Sequence, residues 1–418
     1  MGFAVTGLRG GVGRRTNVVR SNDFWHSLIS GEHMDPLGRR LPTSSPRTLT
    51  LVVNNRCNLA CRHCYLQVDK LADAELSLEE WGRVARRMAS AAETDAVSVT
   101  GKEVFLGERG ISILETISSA FHAVASAPRL GLISNGTLAH RWLDRILPLE
   151  LDYFDISIDG DEPEHDANRG QGAFAAMARN LPPLKERFGE RLFANLTLQK
   201  RNLSALDRAF RKFSGLGFST IGLGFYQPQP YTDPALTLAA EDFERFFSTL
   251  QALATAPLDR PLTLLMELDL TNLQAQQAFL RSGWFDPAAV FEDSRRDLVQ
   301  ELRFPNGLTC QFRLDFWPSL VSRSARLTPE GLYLTAEDTL NTRLYPLASL
   351  GTIRDFSGDI LALHQAASHH PRLEAVWANY VKREWPLLRL SLLESGAIDE
   401  SVQSVSVQPE NTQITLTR

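Results

Sequence analysis

Cysteine is scarce in this chain, long apolar runs are missing, and neither sign of charge is in large excess. Each shortage excludes something. Only four of the 418 residues are cysteine: Cys57, Cys61, Cys64 and Cys310. A secreted disulfide framework spreads an even set of cysteines along the chain, whereas here three fall close together and the fourth lies far away. No stretch approaches the roughly 20 apolar residues needed to span a bilayer. The first residues, MGFAVTGLRGGVGRR, lack the apolar core of a secretory signal. The expectation is a cytoplasmic protein with reduced thiols and no membrane partner. Lys and Arg number 44 against 49 Asp and Glu, a net charge of −5. That balance provides no global basic field, so no nucleic-acid partner is expected. With 43% hydrophobic residues the chain can bury a core, which excludes disorder as its dominant state.

What is present is a regular alternation. Strand-like runs of β-branched and apolar residues fall at Leu49–Asn54, Ala96–Thr100, Leu130–Ser134, Tyr153–Ile158, Leu192–Leu198 and Thr220–Phe225. Between them lie helical patterns. Ser77-Leu-Glu-Glu80 reads as a capping box opening a helix through about Ala92. Further helices fit Ile111–Ser126, Ala139–Leu147, Gly172–Phe188 and Leu203–Leu216. Six βα units in succession predict a parallel sheet with right-handed crossovers, curled into a partial (βα)6 barrel. In such α/β folds the chemistry sits at the C-terminal ends of the strands. Ahead of this, residues 1–47 read as an N-terminal extension, with one helix around Asn22–Gly31. After Phe225 the alternation stops at a Pro-rich stretch, Gln227–Pro234. A helix is predicted at Glu241–Ala256, then an irregular region to about Arg303. Short strands follow in 308–365, a last helix within Pro371–Glu394, and an edge strand or free end at Val402–Arg418.

The thiols stand directly after the first predicted strand, in Asn54-Asn-Arg-Cys57-Asn-Leu-Ala-Cys61-Arg-His-Cys64. A C-x3-C-x2-C loop can bind three irons of a cubane and leave the fourth open to another ligand. The competing reading is a Cys3His zinc site using His63, but His63 adjoins Cys64 and is badly placed to close a tetrahedron with it.

At these residues the sequence resembles the radical S-adenosylmethionine (SAM) superfamily, over about residues 49–230. The resemblance implies one [4Fe–4S] cluster on Cys57, Cys61 and Cys64, with SAM on the open iron. One-electron cleavage would give methionine and a 5′-deoxyadenosyl radical that abstracts hydrogen from a substrate. Thr100-Gly-Lys-Glu-Val104 is similar to the family's Gly-Gly-Glu-Pro turn, so Gly101 and Glu103 would hold the SAM ammonium; Lys102 and Val104 depart from that pattern. Ser134 and Asn135 would lie near the SAM sugar or carboxylate. The segment Asp155-Ile-Ser-Ile-Asp-Gly160, continued by Glu164-His-Asp-Ala-Asn-Arg169-Gly, resembles the peptide-modifying branch. There Ser157 and Arg169 would bind the SAM carboxylate, and Asp159 would face the substrate as the catalytic group. Leu196, in the strand Ala194–Leu198, and His63 would flank adenine.

Residues 308–370 resemble a SPASM-type extension, with Cys310, the hairpin Ala325–Tyr333 and the run Leu350-Gly-Thr-Ile-Arg-Asp355. The remaining cysteines of such an extension are missing, which implies a degenerate α+β version with no auxiliary cluster. The resulting division is an extension at 1–47, a radical SAM barrel at 48–230, a helical connector at 231–307, the SPASM-like region at 308–370, and a C-terminal helix and tail at 371–418. The implied substrate is a peptide; a small molecule, such as a sugar, nucleoside or lipid precursor, is the alternative. A non-catalytic iron–sulfur partner protein is a third reading. The resemblance also implies an external one-electron donor, such as a flavodoxin or ferredoxin. A peptide substrate would further call for a separate leader-binding chain or direct docking on the barrel, where Phe225, Tyr226 and Tyr231 could line the cavity.

Overall fold

The computed structural model of the chain describes residues 44–64, 75–228, 233–270, 272–286, 289–292, 298–315, 324–335, 348–394, 404–407 and 414–417. The predicted helix at Asn22–Gly31, Tyr231 and part of the Pro-rich stretch lie outside these residues.

The six predicted strands form where the sequence puts them: β1 Thr48–Val52, β2 Ala96–Thr100, β3 Arg129–Ser134, β4 Tyr153–Ser157, β5 Leu192–Leu198 and β6 Thr220–Phe225. Their residues are almost all buried, as strands in a parallel sheet must be when crossover segments cover them. Ser77 accepts from the Glu80 N–H while the Glu80 carboxylate accepts from the Ser77 N–H, so the capping box opens the helix Leu78–Ala89 as read. Two long helical patterns break. Gly172–Phe188 becomes Ala173–Ala178 and Leu181–Phe188, with Pro182 in the first turn of the second helix. Only Leu143–Ile146 is α-helical in the predicted 139–147 segment.

The sheet is larger than six strands. β7 (Leu262–Asp269) continues it beyond β6, and β8 (Val290–Glu292), β9 (Leu298–Arg303), β10 (Leu308–Asp315), β11 (Ser324–Leu327) and β12 (Tyr333–Thr335) complete a curled sheet. Its order is β12-β11-β1-β2-β3-β4-β5-β6-β7-β10-β9-β8. The segment 231–307, read as helical and irregular, therefore supplies three strands beside the helices Ala240–Thr255 and Leu273–Arg281. β10 lies parallel to β7 and β11 parallel to β1, so both flanks of the barrel are finished by chain from beyond residue 300. The predicted hairpin after Ala325 exists, as the antiparallel β11–β12 pair. The tail forms its own antiparallel pair, β13 (Ser404–Val407) with β14 (Ile414–Thr417), rather than an edge of the main sheet. Among the described residues no helix is long and apolar enough to cross a membrane.

One continuous apolar core runs under the sheet, from Leu49 and Trp81 through Phe154 and Phe210 to Phe312 and Leu363. Phe225 is half-buried and packs against it beside Phe243 and Phe246, and Tyr226 is buried. Cys310 is wholly buried in β10, among apolar neighbours.

Candidate functional site

A pocket opens at the C-terminal ends of β2 to β5, beside the loop that follows β1. It is open to solvent at its mouth. Cys57, Cys61 and Cys64 all line it, with Leu59 and His63 of the same loop, Thr100, Gly101 and Lys102 after β2, and Ile133, Ser134 and Asn135 from β3 and its end. Ser157, Arg169, Asn195 and Thr197 complete the wall.

The loop is held from several sides. Asn54 Nδ2 donates to the Glu103 carbonyl at 2.8 Å, the Lys102 N–H donates to the Asn54 carbonyl at 3.1 Å, and the Glu103 N–H to the Arg56 carbonyl at 2.9 Å. Gly101 is required here by space: a Cβ would stand 2.8 Å from Asn54 Oδ1. The Arg62 N–H donates to the Asn168 carbonyl at 3.0 Å, tying the loop to the helix Glu162–Arg169. Cys57 Sγ accepts from the Leu59 N–H at 3.3 Å and from Asn135 Nδ2 at 3.7 Å. Such bonds fix the direction in which the sulfur points. Burial pushes the Cys57 thiol up, and the Cys61 thiol up to about 12, with the nearby Arg169 charge pulling Cys61 back.

Arg169 reaches the pocket from the end of its helix, backed by Asp159. Nε lies 2.6 Å from Oδ2 and Nη2 3.1 Å from Oδ1. Burial alone would raise the Asp159 carboxyl, but Arg169 and then His63 hold it well below the usual carboxylate range. Asn168 completes the arrangement, its Nδ2 being 2.5 Å from both Asp159 Oδ2 and His63 Nδ1. Burial pushes His63 down to about 4, so the ring is neutral near pH 7 and its Nδ1 accepts from Asn168.

Three expected ligand contacts are differently arranged. Asp159 is fully buried behind Arg169 and is absent from the pocket wall. Its carboxylate faces the Arg169 guanidinium instead. Glu103 is also buried and off the wall. Its carboxylate accepts from the Phe105 N–H, the Asn135 N–H and the Ser134 hydroxyl, at 2.8 to 2.9 Å. It ties the end of β2 to the end of β3, and burial raises its carboxyl against those three bonds. Leu196 is buried in the main apolar core, while its neighbours Asn195 and Thr197 line the pocket. Successive strand residues face opposite sides, so a one-residue choice decides pocket or core. Asn168, Asn195 and Thr197 were not singled out from sequence. Strand alternation from Ser157, whose β5 partner is Asn195, is the signal that finds the latter two.

Residues 51–200 match the family model described as the Radical SAM superfamily. The chain is 31% identical over 125 residues to a protein named Probable GTP 3′,8-cyclase of Methanopyrus kandleri, covering 30% of this chain and 36% of that protein. It is 32% identical over 147 residues to the sporulation killing factor maturation protein SkfB of Bacillus subtilis, covering 34% of this chain and 33% of that one. It thus spans about a third of the length of these curated relatives. Streptococcus suis SuiB bound to S-adenosylmethionine superposes over 82% of this chain and 71% of its own, with a TM-score of 0.54 and 13% identity. That is a likeness of fold.

Proposed function

We propose that the chain is a radical SAM enzyme that reductively cleaves S-adenosylmethionine and takes a hydrogen atom from a peptide. The observation that carries this reading is the convergence of Cys57, Cys61, Cys64 and Arg169 on one pocket at the strand ends. The donor set fits an iron–sulfur cluster better than zinc. His63, the donor a Cys3His zinc site would need, adjoins Cys64 and has its Nδ1 on Asn168. A cubane spreads its thiolates over separate irons.

In this reading Cys57, Cys61 and Cys64 hold three irons of one [4Fe–4S] cluster. When bound, the cluster and SAM supply one-electron cleavage to methionine and a 5′-deoxyadenosyl radical. The chain's own part is to bind, orient and exclude water. Arg169, fixed by Asp159, presents its remaining guanidinium N–H groups to the SAM carboxylate, with Ser157 beside it. Ser134, Asn135 and the Gly101 backbone shape the wall near the loop. Asn195 and Thr197 take over the flanking role first given to Leu196. His63, held neutral by burial and oriented by Asn168, offers a flat ring next to Cys64. An external one-electron donor is required.

A peptide substrate is supported by the Ser157-to-Arg169 segment and by the maturation role in the name of SkfB. A small-molecule substrate is the second reading, favoured by the comparable identity to a protein named as a GTP cyclase. Anaerobically reconstituted protein, reduced with dithionite and given SAM, should release 5′-deoxyadenosine. A protein loaded with iron and sulfide that releases none would overturn the enzyme reading. Deuterium transfer into 5′-deoxyadenosine from labelled candidate peptides or small molecules distinguishes the two substrate classes.

A further inference from the structure

We infer that the turn Thr328–Gly331, between β11 and β12, is a clasp that sets the geometry of the cysteine loop, with Glu330 as its positioning residue. The inference rests on the proposed cluster for its function, but its geometry stands independently. The cysteine-bearing segment leaves β1 at Val53, and the next described element is the helix Leu78–Ala89. The turn touches both arms of that excursion. On the entry arm, Asn55 Nδ2 donates to Glu330 Oε1 at 2.5 Å, two residues before Cys57. On the return arm, the Leu76 N–H donates to the Pro329 carbonyl at 2.7 Å.

The turn itself is firmly mounted. Glu330 is only 4% exposed. Gly331 has φ +90°, and a Cβ there would stand 2.7 Å from Ile353 Cγ2 and 3.1 Å from Leu76 Cδ2, so the close approach needs glycine. Arg354 bridges the turn to the return arm, with Nη1 donating to the Glu330 carbonyl at 3.3 Å and Nε to Glu80 at 3.1 Å. The mount is continuous with the sheet, because β11 lies parallel to β1 from Thr48↔Ser324 to Leu51↔Leu327. Consecutive asparagines therefore anchor the loop entry in two places: Asn54 to the turn after β2, and Asn55 to chain nearly three hundred residues later. Losing the Glu330 bond frees the segment carrying Cys57 while leaving the three thiols in place.

The test uses full-length Glu330→Ala, Glu330→Gln and Asn55→Ala proteins. Iron release from reconstituted protein to a chelator is followed by visible absorbance. Alkylation of Cys57, Cys61 and Cys64 in cluster-free protein is mapped by mass spectrometry, with buried Cys310 as the internal reference. Glu330→Ala should lose iron several-fold faster and expose Cys57 to alkylation several-fold faster, with Cys310 unchanged. Glu330→Gln keeps a carbonyl acceptor for Asn55 and should stay near the parent. The Asn55→Ala/Glu330→Ala double variant should be no worse than the single variants. Parent-like iron release and alkylation in Glu330→Ala would overturn the clasp. Faster alkylation of Cys310 as well would show general loosening and also overturn it. A parent that never takes up iron would count against the cluster reading, and the alkylation rates would still decide the clasp.

Discussion

Asp159 grips Arg169 at two points, Nε to Oδ2 and Nη2 to Oδ1, and neither residue is more than a tenth exposed. A bidentate pair fixes the plane of the guanidinium as well as its position. Asp159→Ala leaves a buried charge without its partner, which should cost about 3–5 kcal/mol of stability. Adding Arg169→Met should recover a large part of that loss, because the stranded charge is then gone. Urea unfolding of the cluster-free single and double variants checks this; additive losses would mean that the two residues do not act as a pair.

Arg169 is the buried cation on the pocket wall, and its direct role is read by ligand affinity. Arg169→Ala should weaken SAM binding roughly ten- to a hundredfold, the value of about 1.5–3 kcal/mol for a charge-assisted hydrogen bond. Arg169→Lys keeps charge but not the fork, and should fall between the two. Calorimetric titration of the reconstituted proteins with SAM measures it. Unchanged affinity in Arg169→Ala would remove this residue from the ligand site.

Iron stoichiometry tests the thiol assignment. Reconstituted parent should hold about four irons per chain, and the Cys57/Cys61/Cys64 triple alanine variant essentially none. Cys310 is buried in β10 among apolar residues, and burial pushes its thiol up to about 12, so it is a poor thiolate ligand. Cys310→Ala should therefore retain the parent's iron. A cluster surviving in the triple variant would overturn the assignment.

His165 predicts a pH dependence. Its ring is wholly buried, its Nδ1 accepts from the Asp159 N–H at 3.3 Å, and burial, followed by the Arg169 charge, pushes it down to about 4. The unfolded chain then binds a proton between about pH 6.5 and 4 that the folded chain does not, so stability falls as pH falls through that window. This one residue should account for about 2 kcal/mol between pH 7 and pH 5. His165→Gln should flatten the slope of urea stability against pH by about one proton, leaving the share of His63, which is depressed in the same direction. An unaltered slope would show that His165 does not titrate in this way.

Gly101→Ala would place a methyl group 2.8 Å from Asn54 Oδ1 and 3.0 Å from its Cγ. Asn54 would have to leave the Glu103 carbonyl, at a cost of about 1–3 kcal/mol by the usual penalty for overpacking. Asn54→Ala removes the obstructing atoms, so the double variant should be less destabilised than the two changes summed. Thermal unfolding of all four proteins reads this coupling.

Much of the barrel is legible in the sequence because its strands are short, β-branched and bounded by turn residues. Leu192–Leu198 and Thr220–Phe225 are read with the bounds that the structure gives them. β7 is harder to read although Leu262, Leu264, Met266 and Leu268 alternate with Thr263, Glu267 and Asp269, because Leu265 breaks the pattern and its parallel partners are β6 and the distant β10. That Cys57, Cys61 and Cys64 come together at one pocket follows from their close spacing on the loop after β1. Asp159, Glu103 and Leu196 lie behind the pocket wall rather than on it, for a common reason. A residue at a strand end can face a ligand or hold a neighbour that does, and only the three-dimensional partner decides. For Asp159 that partner is Arg169; for Glu103 it is the pair Ser134 and Asn135.

The parallel pairing of β1 with β11 has a consequence for how the chain reaches this state. Synthesis proceeds from the N-terminus, so β1 and its neighbours β2 to β7 are made long before Ser324–Leu327 exists. Until then β1 has a bare hydrogen-bonding edge beside the cysteine loop, and such edges recruit wrong partners. Pairing Leu49 with Ala325 also closes a very long loop, which is slow compared with the local βα steps. Folding should therefore finish in two stages, a fast one that builds the inner strands and a slow one that covers β1. Chains cut before residue 324 should aggregate through that edge, even though they carry all three loop cysteines.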